Sequence, residues 1–333
     1  MPDDRPASRY SFQKILTGFD FSSRRLPQMA VTAAEPGPLL WLTACVHGDE
    51  VGGIAVIQEV FERLRKGALR RGSVRAFPVL NPLGFEAMTR NVAPSHEDLN
   101  RAFPGDPEGT LAERIAHLVH EQIAASEPAL VVDLHNDWIR SIPYAVLDAA
   151  TAGADLDERV LRYAREAGFI AVRETAAHTQ TGGLDRSLSA SLLRRGIPAF
   201  TLELGEAFVV NERLVEHGVG AIWNLLQELA LVDDTPERFR FGPTAVIPDR
   251  ILTYHEGPRS ARSGLIRFRV APGDVVERGA VVARTYNVFG QLRETLRADV
   301  DGVVLGYSDY SMTYPGKTVL AFADLREPPR APA

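Results

Sequence analysis

Apolar and polar positions along the chain follow two periods, and the place where one gives way to the other divides the molecule. Over residues 39–231, short apolar runs of strand length alternate with segments whose apolar residues recur every three to four positions. Strands are predicted at 39–46, 73–80, 129–135, 144–148, near 170 and at 197–204, with helices at 52–66, 110–125 and 216–231. Thr110 followed by Glu113 is a capping-box pattern that marks the start of the second of these helices. Strands alternating with helices predict an α/β fold, a largely parallel sheet covered by helices on both faces. Open sheets of this kind bind ligands at the carboxyl ends of their strands, where His47, His135 and Glu203 fall.

The helical period stops at Asp233-Asp234-Thr235-Pro236, and from about residue 251 short strands separated by glycine turns take over, at 265–270, 281–286, 302–307 and 317–322. The expected division is a large domain over 1–240 and a small all-β domain over 245–333. Residues 271–279 and 298–304 resemble the biotinyl/lipoyl-carrier type of β-sandwich. A carrier needs a lysine at the tip of its central hairpin, but Asn287-Val288-Phe289-Gly290 has none and Lys317 falls in another turn. The small domain is therefore expected to serve shape, association or access to a site.

Composition narrows the class of function. With 333 residues, 45% hydrophobic and 24% charged, the chain has an ordinary globular balance, and a net charge of -6 argues against a nucleic-acid surface. The basic run at 63–75 reads as a solvated helix end. No stretch approaches the roughly 18 to 20 apolar residues of a membrane span, and the first residues, Met1-Pro2-Asp3-Asp4-Arg5, lack the apolar core of a signal peptide. The single cysteine, Cys45, lies within an apolar strand and is expected to pack there. A reducing cytoplasm is the expected compartment.

The candidate chemistry begins at His47-Gly48-Asp49-Glu50, where two metal-binding side chains stand three residues apart at the mouth of a buried strand. That spacing lets one ion take both. Hydrolytic zinc sites use three protein ligands and leave a fourth position open, and His135 at the end of Val131-Val132-Asp133-Leu134-His135 supplies the third. Asp133 shares a strand face with His135 and either orients a ligand imidazole or ends the strand. In Ala199-Phe200-Thr201-Leu202-Glu203-Leu204-Gly205, a carboxylate within a buried-strand pattern is costly unless it faces a site; Glu206, past the glycine, is its competitor.

His47-Gly48-Asp49-Glu50, Asp98-Leu99-Asn100-Arg101, Asp133-Leu134-His135 and Thr201-Leu202-Glu203-Leu204-Gly205 occur in the order seen in the succinylglutamate desuccinylase/aspartoacylase family, a branch of the zinc carboxypeptidase fold. The resemblance extends over nearly the whole chain and is strongest to the broad deacylase branch. It implies a zinc-dependent hydrolase that cleaves the amide of a small N-acylated amino acid or related amine, with one zinc ion per chain. His47, Glu50 and His135 match the metal ligands and Glu203 the catalytic glutamate. Asn100 and Arg101 match the pair that holds a substrate carboxylate, and Arg90 resembles the arginine that polarises the scissile carbonyl. The implied partner is a small N-acylated substrate with a free carboxylate, with no nucleic acid or membrane; the association state, a homo-oligomer included, is left open. A metallocarboxypeptidase and a non-catalytic metabolite-binding protein on the same fold are the alternatives.

Other positions carry less. His117 and His120 sit on an ordinary amphipathic helix, and Tyr314 is expected to pack structurally. Arg194 and Arg195 close a helix, where their charge suits the dipole. The polar segment 178–183 is read as a loop before a helix and a candidate wall of the site.

Overall fold

A computed structural model describes residues 6–17, 23–149, 153–241, 250–307 and 310–326. In chain order the elements are β1 (Ala7–Thr17), β2 (Ser23–Thr32), β3 (Glu35–Ala44), α1 (Gly52–Arg63), β4 (Arg71–Phe77), α2 (Pro82–Ala87), α3 (Leu111–Ala124), β5 (Leu130–His135), β6 (Arg140–Ser141), β7 (Tyr144–Leu147), α4 (Ala154–Glu166), β8 (Ile170–Arg173), α5 (Ala176–Gly182), α6 (Leu188–Arg194), β9 (Ala199–Glu203) and α7 (Glu212–Glu228). They are followed by β10 (Ile251–Glu256), β11 (Gly264–Phe268), β12 (Val275–Val276), β13 (Val281–Tyr286), β14 (Leu292–Arg297), β15 (Gly302–Tyr307), β16 (Met312–Thr313) and β17 (Leu320–Asp324).

The centre of the large sheet is parallel, in the order β4, β3, β5, β9. Every residue of β5 is buried, as a strand covered on both faces must be. On one face α1, α4 and α7 close a core containing Val56, Phe61, Tyr163 and Leu225. On the other, α3 and α6 cover Trp41, Ile115, Val119 and Leu192. The expected capping box at α3 is present: Thr110 Oγ1 accepts from the Glu113 amide, and Glu113 Oε2 accepts from the Thr110 amide. Cys45 is fully buried, as expected.

Antiparallel strands flank this centre. The ribbon of β1 and β2 joins through β4, and β1 is mostly exposed, which is why it leaves little apolar signal. No crossover helix separates β5 from β7, so β7 returns against β9 and then restarts the parallel run with β8 and β10. Element ends also move. The helix expected over 216–231, α7, begins earlier, at Glu212, because the Asn211 side chain caps it, accepting from the Arg213 and Leu214 amides. The last strand starts at Leu320, after the turn at Gly316 (φ 87).

Strands after 251 divide between two sheets. β14, β13, β11 and β16 form a small antiparallel sheet, while β10, β17, β15 and β12 extend the large one. Ile266, Val282, Leu296 and Phe322 fill the space between them. The boundary expected between 240 and 245 lies almost wholly in residues 242–249, which are outside the described residues.

Candidate metal centre and active site

At the end of β3 the chain turns sharply at Cys45, which adopts the left-handed φ of 54. The turn is pinned by Ala44 and Cys45 carbonyls that accept from the Leu80 and Asn81 amides at 3.0 and 2.9 Å. Gly48 then passes against α2 so closely that a Cβ there would lie 2.0 Å from the Gly84 carbonyl carbon, a contact only glycine permits. The result is that His47 and Glu50, both buried, face one point. Burial, with the Glu50 and Asp49 carboxylates beside it, pushes the Cys45 thiol up to about 12, so this cysteine packs and does not react.

His135 reaches the same point from the end of β5, and the parallel register places Glu203 of β9 directly beside it. One donor atom from each of His47, Glu50 and His135 lies within 4.8 Å of the others. His47 Nδ1 is 2.6 Å from Glu50 Oε1, and His135 Nδ1 is 2.9 Å from Glu50 Oε2. Each ring turns its other nitrogen to a carboxylate, His47 Nε2 to Asp98 Oδ1 at 3.2 Å and His135 Nε2 to Asp133 Oδ2 at 2.9 Å. A carboxylate on Nε2 favours the tautomer with its proton there, which leaves the Nδ1 lone pair for an ion. Asp133 is itself held by Thr43, whose Oγ1 donates to Oδ1 at 2.6 Å. Two imidazoles and a carboxylate, oriented in this way, fit a divalent ion of borderline softness such as zinc.

The electrostatics agree with that fit. Burial opposes ionisation of Glu50, yet the two imidazoles hold it well below the usual carboxylate range. Burial likewise opposes charge on His135, but Asp133 and Glu50 hold it well above its ordinary value. The cluster is thus built around positive charge at its centre. Glu203 goes the other way: burial first, then the carboxylates of Asp137 and Glu50, push it well above the carboxylate range. Its Oε2 is buried and finds no hydrogen-bond partner among the described residues.

Arg90, about half exposed, directs Nη1 to Glu50 Oε1 at 3.4 Å and Nη2 to Asp98 Oδ2 at 3.1 Å. Asn100 is buried; its Oδ1 accepts from the Leu188 amide at the start of α6, and its own amide donates to Asp98. Arg101 is braced by two carbonyls, donating from Nε to Gly182 at 2.6 Å and from Nη1 to Asn100 at 2.9 Å. A cavity of about 280 Å³ is lined by all seven candidates: His47, Glu50, Arg90, Asn100, Arg101, His135 and Glu203.

The catalytic-domain profile of succinylglutamate desuccinylase/aspartoacylase matches residues 36–229. The chain belongs to that family. An N-alpha-acetyl-L-2,4-diaminobutyric acid deacetylase of Halomonas elongata is 28% identical over 344 residues, covering 96% of this chain and 92% of the relative. Among solved structures, a succinylglutamate desuccinylase/aspartoacylase from Rhodobacter sphaeroides superposes with a TM-score of 0.80 at 24% identity, covering 97% of each chain. The product-bound ectoine utilization protein EutE from Ruegeria pomeroyi superposes at 0.81 with 20% identity, again covering 97% of each chain. These two share the fold over almost the whole length. The desuccinylase/aspartoacylase segment contains every candidate residue, but Tyr254 and Glu256, which also line the cavity, come from β10 beyond it.

Several site residues escape a reading of the sequence. Asn136 locks the centre, its amide donating to Glu50 Oε2 and its side chain bridging the Gly52 amide to the Gly205 and Glu206 carbonyls. Its only signal is its place directly after His135. Asp98, within the Asp98-Leu99-Asn100-Arg101 motif, orients His47. Glu174, Tyr254 and Glu256, which carry no local motif, form a far wall together with His178, from the polar segment already read as a candidate wall. Residues 178–182 belong to helix α5 and not to a loop, because the Thr175 hydroxyl caps that helix by accepting from the His178 amide at 3.1 Å. Tyr314 is 51% exposed, not packed, and it is absent from the cavity lining, as are Arg194 and Arg195.

Proposed function

We propose that the protein is a zinc-dependent deacylase that hydrolyses the amide bond of a small N-acylated amino acid, with a preference for an acetyl group. The carrying observation is the convergence of His47, Glu50 and His135 with an unpartnered Glu203 in one small cavity that also presents Asn100 and Arg101. The activity named for the Halomonas elongata relative supports an acetyl group on an amino acid nitrogen.

His47, Glu50 and His135 would hold the metal, which when bound supplies Lewis acidity to the carbonyl and to water. Glu203 accepts a proton from the attacking water at Oε2, the atom left without a partner, and its raised proton affinity suits it for that task. The same carboxyl then delivers the proton to the amide nitrogen, which leaves as an amine. Arg90 faces this centre and steadies negative charge developing on the carbonyl oxygen. Arg101, its guanidinium prearranged by two carbonyls, grips the substrate carboxylate with Asn100 beside it.

A panel of N-acetyl, N-succinyl and N-formyl amino acids, each as free acid and as carboxyl amide, tests this reading. Free N-acetyl amino acids should react fastest. Arg101→Ala should slow the free acids by well over tenfold, since losing one partner of a desolvated ion pair costs about 2 to 5 kcal/mol, and should leave the amides little changed. A zinc-loaded protein that hydrolyses none of the panel would overturn the proposal.

A further inference from the structure

We propose that His178 is the wall that limits how long a substrate side chain the active site accepts. The inference rests on the deacylase reading above. The active-site cavity ends at α5 and β10, and beyond them lies a second cavity of about 640 Å³ lined by Thr175, Ala177, Thr181, His255 and Arg259. His178, Tyr254 and Glu256 line both cavities. These three side chains are therefore the partition between the two spaces.

The partition is held firmly. His178 Nδ1 hydrogen-bonds to Glu174, and Nε2 lies 3.4 Å from Glu256 Oε1 across the gap to β10. The ring stacks on Tyr254 with centroids 5.2 Å apart and planes 21° from parallel. The helix that carries His178 is fastened at its other end, where Arg101 donates to the Gly182 carbonyl. A ring that reaches a carboxylate through each of its two nitrogens is held from both sides and costs little freedom once α5 is capped.

The direction of the limit follows from the same helix. A carboxylate gripped by Arg101 places the amino acid part of the substrate against the end of α5, so its side chain is the arm that extends toward His178. The acyl arm lies at the metal centre, away from this wall. At about 280 Å³ the cavity lies just below the usual range for small-ligand sites, roughly 300 to 1,000 Å³, so removing the partition adds space where the present site has none.

The test is kcat/KM for two series, Nα-acetyl amino acids with unbranched side chains from alanine to 2-aminooctanoic acid, and N-acyl alanines of increasing acyl length. Wild type should fall off sharply with side-chain length. His178→Ala should raise kcat/KM for the long side-chain substrates relative to the short ones by about tenfold or more, the order expected when a steric limit of one or more methylenes is lifted. The acyl series should not respond. His178→Gln, which keeps the bulk, should retain the wild-type cut-off, and Glu256→Ala should relax it from the opposite side even if His178→Ala fails to fold. An active wild type whose cut-off ignores both His178→Ala and Glu256→Ala overturns the wall, as does a gain confined to the acyl series. A wild type inactive on every member overturns the deacylase reading instead.

Discussion

Glu203 is a carboxylate at the end of a buried strand, with one oxygen that has no hydrogen-bond partner among the described residues and its proton affinity raised by burial. Beside His47, Glu50 and His135 in one cavity, such an atom is placed to take part in proton transfer. Its neighbour Glu206 behaves differently: it faces Arg140 at 3.4 Å and stays outside the cavity, as a solvated turn residue does. Glu203→Gln should therefore leave metal content unchanged while lowering turnover by at least about a hundredfold; near-normal turnover would move the proton-transfer role elsewhere. Metal content is the complementary measurement. Elemental analysis of protein purified without chelator should find about one zinc per chain, and His47→Ala or His135→Ala should lose most of it, because two remaining ligands hold zinc poorly. Full retention in both variants would mean the ion sits elsewhere.

At the scale of elements, α5 is a short helix without buried residues, so its position depends on its ends and on His178. Hydrogen bonds that the His178 ring donates to Glu174 and Glu256 raise its pKa to about 10, against about 6.5 in an unfolded chain. A raised value means the folded state binds the proton more tightly. The stability contributed by the bridge is fully present below pH about 6.5 and is lost as pH rises through about 10. Urea unfolding of wild type and His178→Gln should accordingly show a stability difference at pH about 6 that shrinks or closes by pH about 10.5. Other titrating groups are common to both proteins and cancel in that comparison. A difference independent of pH would show that the protonation of the ring contributes nothing to stability.

For the whole molecule, the significant fact is that the large sheet does not stop where the helical pattern stops. β10 pairs with β8, and β10, β17, β15 and β12 continue the sheet, while Tyr254 and Glu256 of β10 line the active-site cavity. We propose that the β-rich part beginning near 245 controls access to the site. Ending the chain at residue 241 would expose the edge of β8 and uncover apolar residues such as Tyr144, Ile170 and Val172. Such a truncated chain should aggregate or unfold without cooperativity, measured by thermal unfolding, and retain no deacylase activity. A soluble, active fragment would show that the two parts are independent.

The strands that end on His135 and Glu203, and the one that leads into His47, were legible because buried parallel strands announce themselves as apolar runs, and a charged residue at the end of one stands out against them. The capping box at Thr110 was legible for a similar reason, since both partners lie within one turn. The metal-ligand spacing, the family motifs and the change of period near 233 are also local properties of the chain. Tertiary structure alone decided what depends on residues far apart: that Asp98 orients His47, that Asn136 locks Glu50, that β7 runs against β9, and that β10 completes both the sheet and the cavity. The far wall shows this most plainly, since Glu174, His178, Tyr254 and Glu256 have no common motif and meet only because β8 and β10 are neighbours in the sheet. Local pattern encodes which face of an element is buried; which elements then become neighbours is decided by the packing of the whole chain.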